Sequence, residues 1–181
     1  MREKQTLILI VMGVCGVGKT SVAKALAERL EGRYVEADEF HSPDNIEAMR
    51  QGIPLSDDMR GPWLRGISDE IQSLQQTHPS QPIVVACSAL KESYRAILRD
   101  GLPEATFVFL TAPKSLIAER MTGRKDHFMP LELLESQLAD LEPPSEGEKH
   151  IPIDASLPQE LIVASVLAEL AHQSDQILQM R

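Results

Sequence analysis

Short, largely apolar runs recur at residues 7–12, 34–36, 83–86, 106–110 and 151–153, with the length expected of strands buried in a parallel sheet. Between them, apolar residues return every three or four positions, which marks amphipathic helices. Val22, Ala23, Leu26, Ala27 and Leu30 form the first stripe, and Gly32 stands where a helix-terminating glycine belongs. Ser42-Pro43 reads as an N-cap followed by proline, opening a helix through Met49 that stops near Gly52. Leu64, Ile67, Ile71 and Leu74 make another stripe, and a further helix follows Leu90 and ends at Asp100-Gly101. Leu131, Leu134, Leu138 and Leu141 make a third, stopped by Pro143-Pro144. A capping box of Ser156 and Gln159, with Pro158 in the first turn, opens the last helix, whose residues beyond Leu170 read as a polar helical or frayed tail. Strands alternating with helices predict an α/β fold around a parallel sheet.

The 181 residues suit one domain spanning 1–181, and no composition shift divides them. No apolar run reaches the roughly 18–20 residues that cross a bilayer, and the N-terminus lacks a signal-peptide pattern, so cytoplasmic residence is the expectation. A net charge of −9 argues against nucleic acid as a partner. Two cysteines, Cys15 and Cys87, make neither a disulfide framework nor a metal ligand set. Cys15 lies near a helix N-terminus, where a thiol pKa can fall, although a small residue that fits the loop explains it equally.

The first strand leads directly into Gly13, Val14, Cys15, Gly16, Val17, Gly18, Lys19 and Thr20, a GxxxxGK[ST] loop in its required strand–loop–helix setting. Its glycines bring backbone N–H groups close to phosphate oxygens, Lys19 reaches the β and γ phosphates, and the Thr20 hydroxyl can ligate Mg²⁺. The helix N-terminus adds its positive dipole end. This predicts a nucleoside triphosphate site.

Polar clusters follow the next strands, where ligands bind in such sheets. Asp38-Glu39-Phe40-His41 offers a carboxylate to take a hydroxyl proton or hold Mg²⁺ through water; a helix-capping Asp38 is the plain alternative. The 54–64 string carries Asp57, Asp58, Arg60 and Trp63 in a turn that opens a helix; Arg60 paired with either acid on the surface is the alternative there. Cys87, Ser88, Ala89, Lys91, Tyr94 and Arg95 follow the third strand, and Lys91 and Arg95, four apart, share a helix face suited to an anionic ligand or to solvent. A basic stretch from Arg120 through Arg124 to His127 reads as a mobile flap, about residues 122–130, able to close over a nucleotide.

Taken together, these strings resemble the bacterial-type gluconokinases, small P-loop kinases related to shikimate and adenylate kinases. The carriers are Asp38-x-Phe40-His41, Asp57-Asp58-x-Arg60-x-Pro62-Trp63-Leu64, Cys87-Ser88-Ala89-Leu90-Lys91 and Gly123-Arg124-x-x-His127-Phe128-Met129, continued by Ser136-Gln137. The resemblance implies a three-layer P-loop kinase fold with a five-stranded parallel sheet in the order 2-3-1-4-5 flanked by helices, a lid, ATP and Mg²⁺ as cofactors, D-gluconate as acceptor and a homodimer. It implies that Lys19, Asp38 and Arg124 act in catalysis and that Arg120 packs on adenine. His41, Arg60, the Cys87, Ser88 and Ala89 turn, Lys91, Arg95, His127 and Gln137 become acceptor-side candidates. The chain departs from the family at Ala37 and Asp126, where glycine is usual, and at Cys15 and Val17, where serine is usual. Val17 removes a hydroxyl but no backbone N–H, whereas Asp126 sets a negative charge among the flap cations. The strand at 83–86 lacks a terminal acid of Walker-B type, which leaves Mg²⁺ to Thr20, phosphates and waters, oriented by Asp38 or Glu36. A kinase for another sugar acid or polyol, and a nucleotide-dependent regulatory module without catalysis, stay open at this point.

Overall fold

β1 (Ile8–Met12) runs through the middle of the molecule and is buried along its whole length. Successive side chains of a strand point to opposite faces. Leu9 and Val11 therefore enter one core, while Ile8, Ile10 and Met12 enter a second. This double burial is why the run is apolar throughout rather than alternating. The structure is a computed structural model describing residues 6–51, 53–123 and 131–179.

β2 (Arg33–Glu36), β3 (Ile83–Ala86), β4 (Thr106–Thr111) and β5 (His150–Asp154) complete a sheet of order β2-β3-β1-β4-β5, every pairing parallel. The expected order is the observed one. α1 (Lys19–Arg29), α5 (Lys114–Thr122), α6 (Leu131–Asp140) and α7 (Gln159–Gln179) contribute to the Leu9 core. α3 (Asp57–Thr77) and α4 (Glu92–Gly101) cover the other face. The register sets Glu36 opposite Ala86, and Ala86 opposite Val11. The carboxyl ends of β1, β2 and β3 thus finish level, and the segments that leave them meet at one edge.

Local signals were read correctly at α2 (Pro43–Arg50), where the Ser42 hydroxyl accepts the Asn45 N–H at 3.1 Å. Three expectations differ. The left-handed residue after α1 is Glu31, φ 52°, not Gly32. Glu31 N–H bonds Glu28 O and Gly32 N–H bonds Ala27 O, the two bonds of a Schellman ending. Gly32 is needed for space instead, since a Cβ there would lie 2.6 Å from Pro82 O. The 54–64 string is a turn only as far as Ser56; from Asp57 it forms the first two turns of α3. The Ser56 hydroxyl caps it on Met59 N–H, and Asp57 and Asp58 oppose the positive end of its dipole. Finally, α7 starts at Gln159, and the Ser156 N–H is taken by the Asp154 carboxylate at 2.8 Å rather than through the expected capping box.

Candidate active site

The phosphate loop leaves β1 and closes onto the N-terminus of α1. Gly13 has φ +143°, and a Cβ there would lie 2.8 Å from Leu110 O. Gly16, at φ +77°, would drive a Cβ to 2.5 Å from the Met121 side chain. Both positions therefore require glycine on conformation and on space. Lys19 Nζ donates to Val14 O at 3.0 Å. Desolvation pulls the Lys19 pKa below its ordinary value, and the Asp38 carboxylate opposes that shift. Burial pushes the Cys15 thiol up, so a lowered thiol pKa is not found; the Cys15 sulfur packs 3.9 Å from that of Met121.

Beside the loop, Thr20 Oγ1 donates to Glu36 Oε2 at 3.0 Å, and the Tyr34 hydroxyl donates to the same oxygen. Burial, then the Glu36 carboxylate, raises the Tyr34 pKa. A hydroxyl and a carboxylate with hard oxygen donors fit Mg²⁺ held by Thr20, phosphate oxygens and water, with Glu36 in the outer layer. Among the described residues no three His, Cys, Asp or Glu side chains form a metal cage.

Asp38 lies on a 3-10 turn, Ala37–Phe40, that follows β2 directly. Its side chain is 79% exposed. Desolvation raises its pKa, and Glu36 adds to this, while His41 and Lys19 oppose it. The turn is held from α3: Trp63 Nε1 donates to Ala37 O at 2.8 Å, and the His41 ring stacks on Trp63 with centroids 4.2 Å apart and planes 15° from parallel. His41 Nε2 lies 3.9 Å from Asp38, and desolvation lowers the His41 pKa, keeping the ring neutral at neutral pH.

A cationic patch follows. Arg60 lies over the Tyr94 ring at 5.3 Å, and Lys91 Nζ lies 5.5 Å from the same centroid. The Tyr94 hydroxyl donates to Asp57 at 2.6 Å. Lys91, not Arg60, pairs with Asp57, at 3.8 Å, and also with Asp140 at 3.8 Å. Arg60 Nε instead donates to Leu55 O at 3.2 Å, which leaves its Nη groups for a ligand.

Several expected site residues stand elsewhere. Arg95 does not share an exposed face with Lys91: it is fully buried, with Nε and Nη2 on Glu148 at 2.7 and 3.0 Å. Its Nη1 holds Ala89 O at 3.1 Å and Leu90 O at 3.0 Å, so it braces the turn instead of meeting a ligand. Burial of an unpaired guanidinium is prohibitive, and Glu148 is the partner that permits it. That turn holds Ala89 at φ 44°. Cys87 and Ala89 are buried, the Cys87 thiol being pushed up to about 12 by burial, so only Ser88 reaches partial exposure. Gln137 is engaged by the phosphate loop: its Oε1 accepts the Cys15 N–H at 2.7 Å. Arg120 donates to Val17 O at 3.3 Å and Ala155 O at 2.8 Å, tying α5 to the loop and to the end of β5. Arg124, Asp126 and His127 lie outside the described residues.

Sequence reading missed Glu148, which sits in a polar loop without any local pattern, and the roles of Trp63 and Tyr94 as ring platforms. It also missed the Tyr34–Glu36 pair, although residues two apart share a strand face. Among the described residues no helix is long and apolar enough to cross a membrane.

A family profile described as AAA domain matches residues 9–140. A probable gluconokinase of Mus musculus is 41% identical, the match covering 90% of this chain and 97% of that protein. The thermoresistant gluconokinase of Escherichia coli (strain K12) is 38% identical over 88% of this chain and 91% of its own length. The crystal structure of a gluconokinase from Sinorhizobium meliloti 1021 superposes with a TM-score of 0.84 at 41% identity, covering 99% of both chains. A shikimate kinase from Aquifex aeolicus, 15% identical with a TM-score of 0.57, shares the fold. Matched over about nine tenths of its length in sequence and 99% of it in fold, this chain belongs to the gluconokinase family of P-loop kinases.

Proposed function

We propose that the protein transfers the γ-phosphoryl group of ATP to a terminal hydroxyl of D-gluconate, giving 6-phosphogluconate and ADP. The observation that carries this reading is the arrangement of charges around Asp38. Lys19 of the loop interacts with Asp38, Arg60 interacts with the neighbouring His41, and Arg60 and Lys91 both lie over Tyr94. Two cations on an aromatic platform suit the carboxylate of a sugar acid. A carboxyl with a raised pKa is a better proton acceptor for a hydroxyl than an ordinary aspartate.

In this mechanism the loop N–H groups and Lys19 bind and orient the triphosphate, and Arg60 and Lys91 hold the acceptor carboxylate. Asp38 orients the attacking hydroxyl and takes its proton. The new O–P bond forms as the bond from γ-phosphorus to the bridging oxygen breaks, and that electron pair leaves on ADP. Mg²⁺, when bound beside Thr20, neutralises phosphate charge. Phosphoryl transfer draws its rate from positioning and charge stabilisation, which these residues supply. Arg124 as a transition-state cation, Arg120 on adenine, a homodimeric state and a cytoplasmic location belong to the same reading and rest on family membership.

A panel of sugar acids in a coupled ADP-release assay tests it. Selective turnover of gluconate is expected. Turnover of a different acid assigns the chain another acceptor, and ATP binding without turnover of any acid makes it a nucleotide-dependent module.

A further inference from the structure

The N–H groups of the phosphate loop fall into two sets. Three are spent on the protein itself: Gly13 N–H on Ser88 O at 3.3 Å, Val17 N–H on Val14 O at 3.4 Å, and Cys15 N–H on Gln137 Oε1 at 2.7 Å. Among the described residues no protein partner is seen for the N–H groups of Gly16 and Gly18, and those of Lys19 and Thr20 open α1, where a helix has no acceptor of its own. The unspent set is the one a polyphosphate would take. Of these three N–H bonds, the Gln137 contact is the shortest and the one made to a side chain.

Gln137 is held firmly enough for this task. It lies on α6, 122 residues from Cys15 in sequence. Leu134 on the same helix is fully buried in the Leu9 core. Past its C-terminus, Glu142 N–H bonds Leu90 O at 2.9 Å, and the Glu142 carboxylate accepts Glu92 N–H at 2.6 Å. A side chain on a helix pinned in this way fixes the Val14–Cys15 peptide more tightly than a mobile loop could.

We propose that Gln137 is a positioning residue of the nucleotide half of the site, not an acceptor ligand: it locks the Cys15 N–H so that the N–H groups of Gly16, Gly18, Lys19 and Thr20 converge before the nucleotide arrives. Preorganisation lowers the cost of binding, so losing the lock weakens nucleotide affinity without touching the acceptor. The inference rests on the kinase reading above only in taking the loop as the phosphate site. Its test needs no acceptor, so the two can fail separately.

The test is Gln137→Leu, which keeps helix propensity and removes the acceptor oxygen. ADP is titrated by calorimetry, steady-state KM is measured for ATP and for gluconate, and exchange of the Cys15 amide proton is followed by NMR. The expected result is an ADP Kd raised roughly tenfold, equal to about 1.4 kcal/mol. KM for ATP should rise in parallel, KM for gluconate should stay within twofold, and the Cys15 amide should exchange faster. An unchanged ADP Kd, or a selective rise in gluconate KM, overturns the proposal. Should the variant not fold, the wild-type exchange rate still decides: a Cys15 amide as labile as an exposed one, without nucleotide, refutes the lock.

Discussion

Substituting Glu148→Gln should destabilise the protein in a pH-dependent way. The Glu148 side chain is 5% exposed and meets two guanidinium groups, Arg95 and Arg99. These contacts, led by the Arg95 hydrogen bond, carry its carboxyl from 4.5 down to about 2. A depression of that size corresponds to about 3 kcal/mol favouring the charged, folded form. The near-total burial of the pair means that solvent screens it little. Glutamine keeps an acceptor oxygen but leaves the buried Arg95 charge without its counter-ion, and breaking such pairs costs roughly 3–5 kcal/mol. For a chain of this size each kcal/mol moves Tm by about 2–4 °C, so Tm should fall by about 6–20 °C at pH 7. The sign with pH follows from the depressed carboxyl. Its contribution is complete above the unfolded value of 4.5 and is lost as pH falls through about 2. By pH 3.5 the gap between wild type and variant should have shrunk by ~1.4 kcal/mol. Urea unfolding of both proteins at pH 7 and pH 3.5 measures this. A loss below about 1 kcal/mol at pH 7, or a gap that does not narrow at pH 3.5, would refute the reasoning. Because Arg95 also holds Ala89 O, the variant should raise the acceptor KM as a secondary effect.

Asp38→Asn should lower kcat by about 10²–10⁴-fold at saturating ATP and gluconate, and an unchanged kcat would remove Asp38 from proton transfer. Arg60→Ala should raise the KM for gluconate by at least about tenfold while leaving that for ATP within twofold; an effect confined to ATP would contradict its placement over Tyr94. Trp63→Phe keeps a ring against His41 but loses the donor to Ala37 O, so Tm should drop by a few degrees, consistent with about 1–2 kcal/mol, and kcat should fall with little change in either KM. Restoring kcat to wild type in that variant would show that the Asp38 turn does not need the bond.

The signals that proved readable were those carried by neighbours in sequence. The glycines and Lys19 of the loop, the Ser42 cap, the apolar strands and the leucine stripes each depend on residues within a few positions. Their meaning survives without knowing the fold. The strand order is a different case: it came from resemblance, and periodicity could only say that the sheet was parallel. Errors fell where a partner lies far away. Arg95 looked like a ligand cation because four-residue spacing says which face it shares but not what covers that face; Glu148, 53 residues on, covers it. Gln137 looked like an acceptor residue because its string follows the flap, whereas α6 turns it onto a loop 122 residues earlier. Gly32 looked like a helix terminator because glycine is favoured there, yet the approach of Pro82 sets the requirement and Glu31 takes the left-handed conformation.

By itself the sequence determined the phosphate chemistry, the parallel α/β class and the family, since a backbone N–H cradle and a doubly buried strand need particular residue types at short fixed spacing. The tertiary structure decided which charges face the cleft and which are consumed inside. That choice depends on desolvation and on partners delivered by other elements: the level ends of β1, β2 and β3, with α3 packed beside them, bring Lys19, Asp38, His41 and Arg60 within reach of one another's charge.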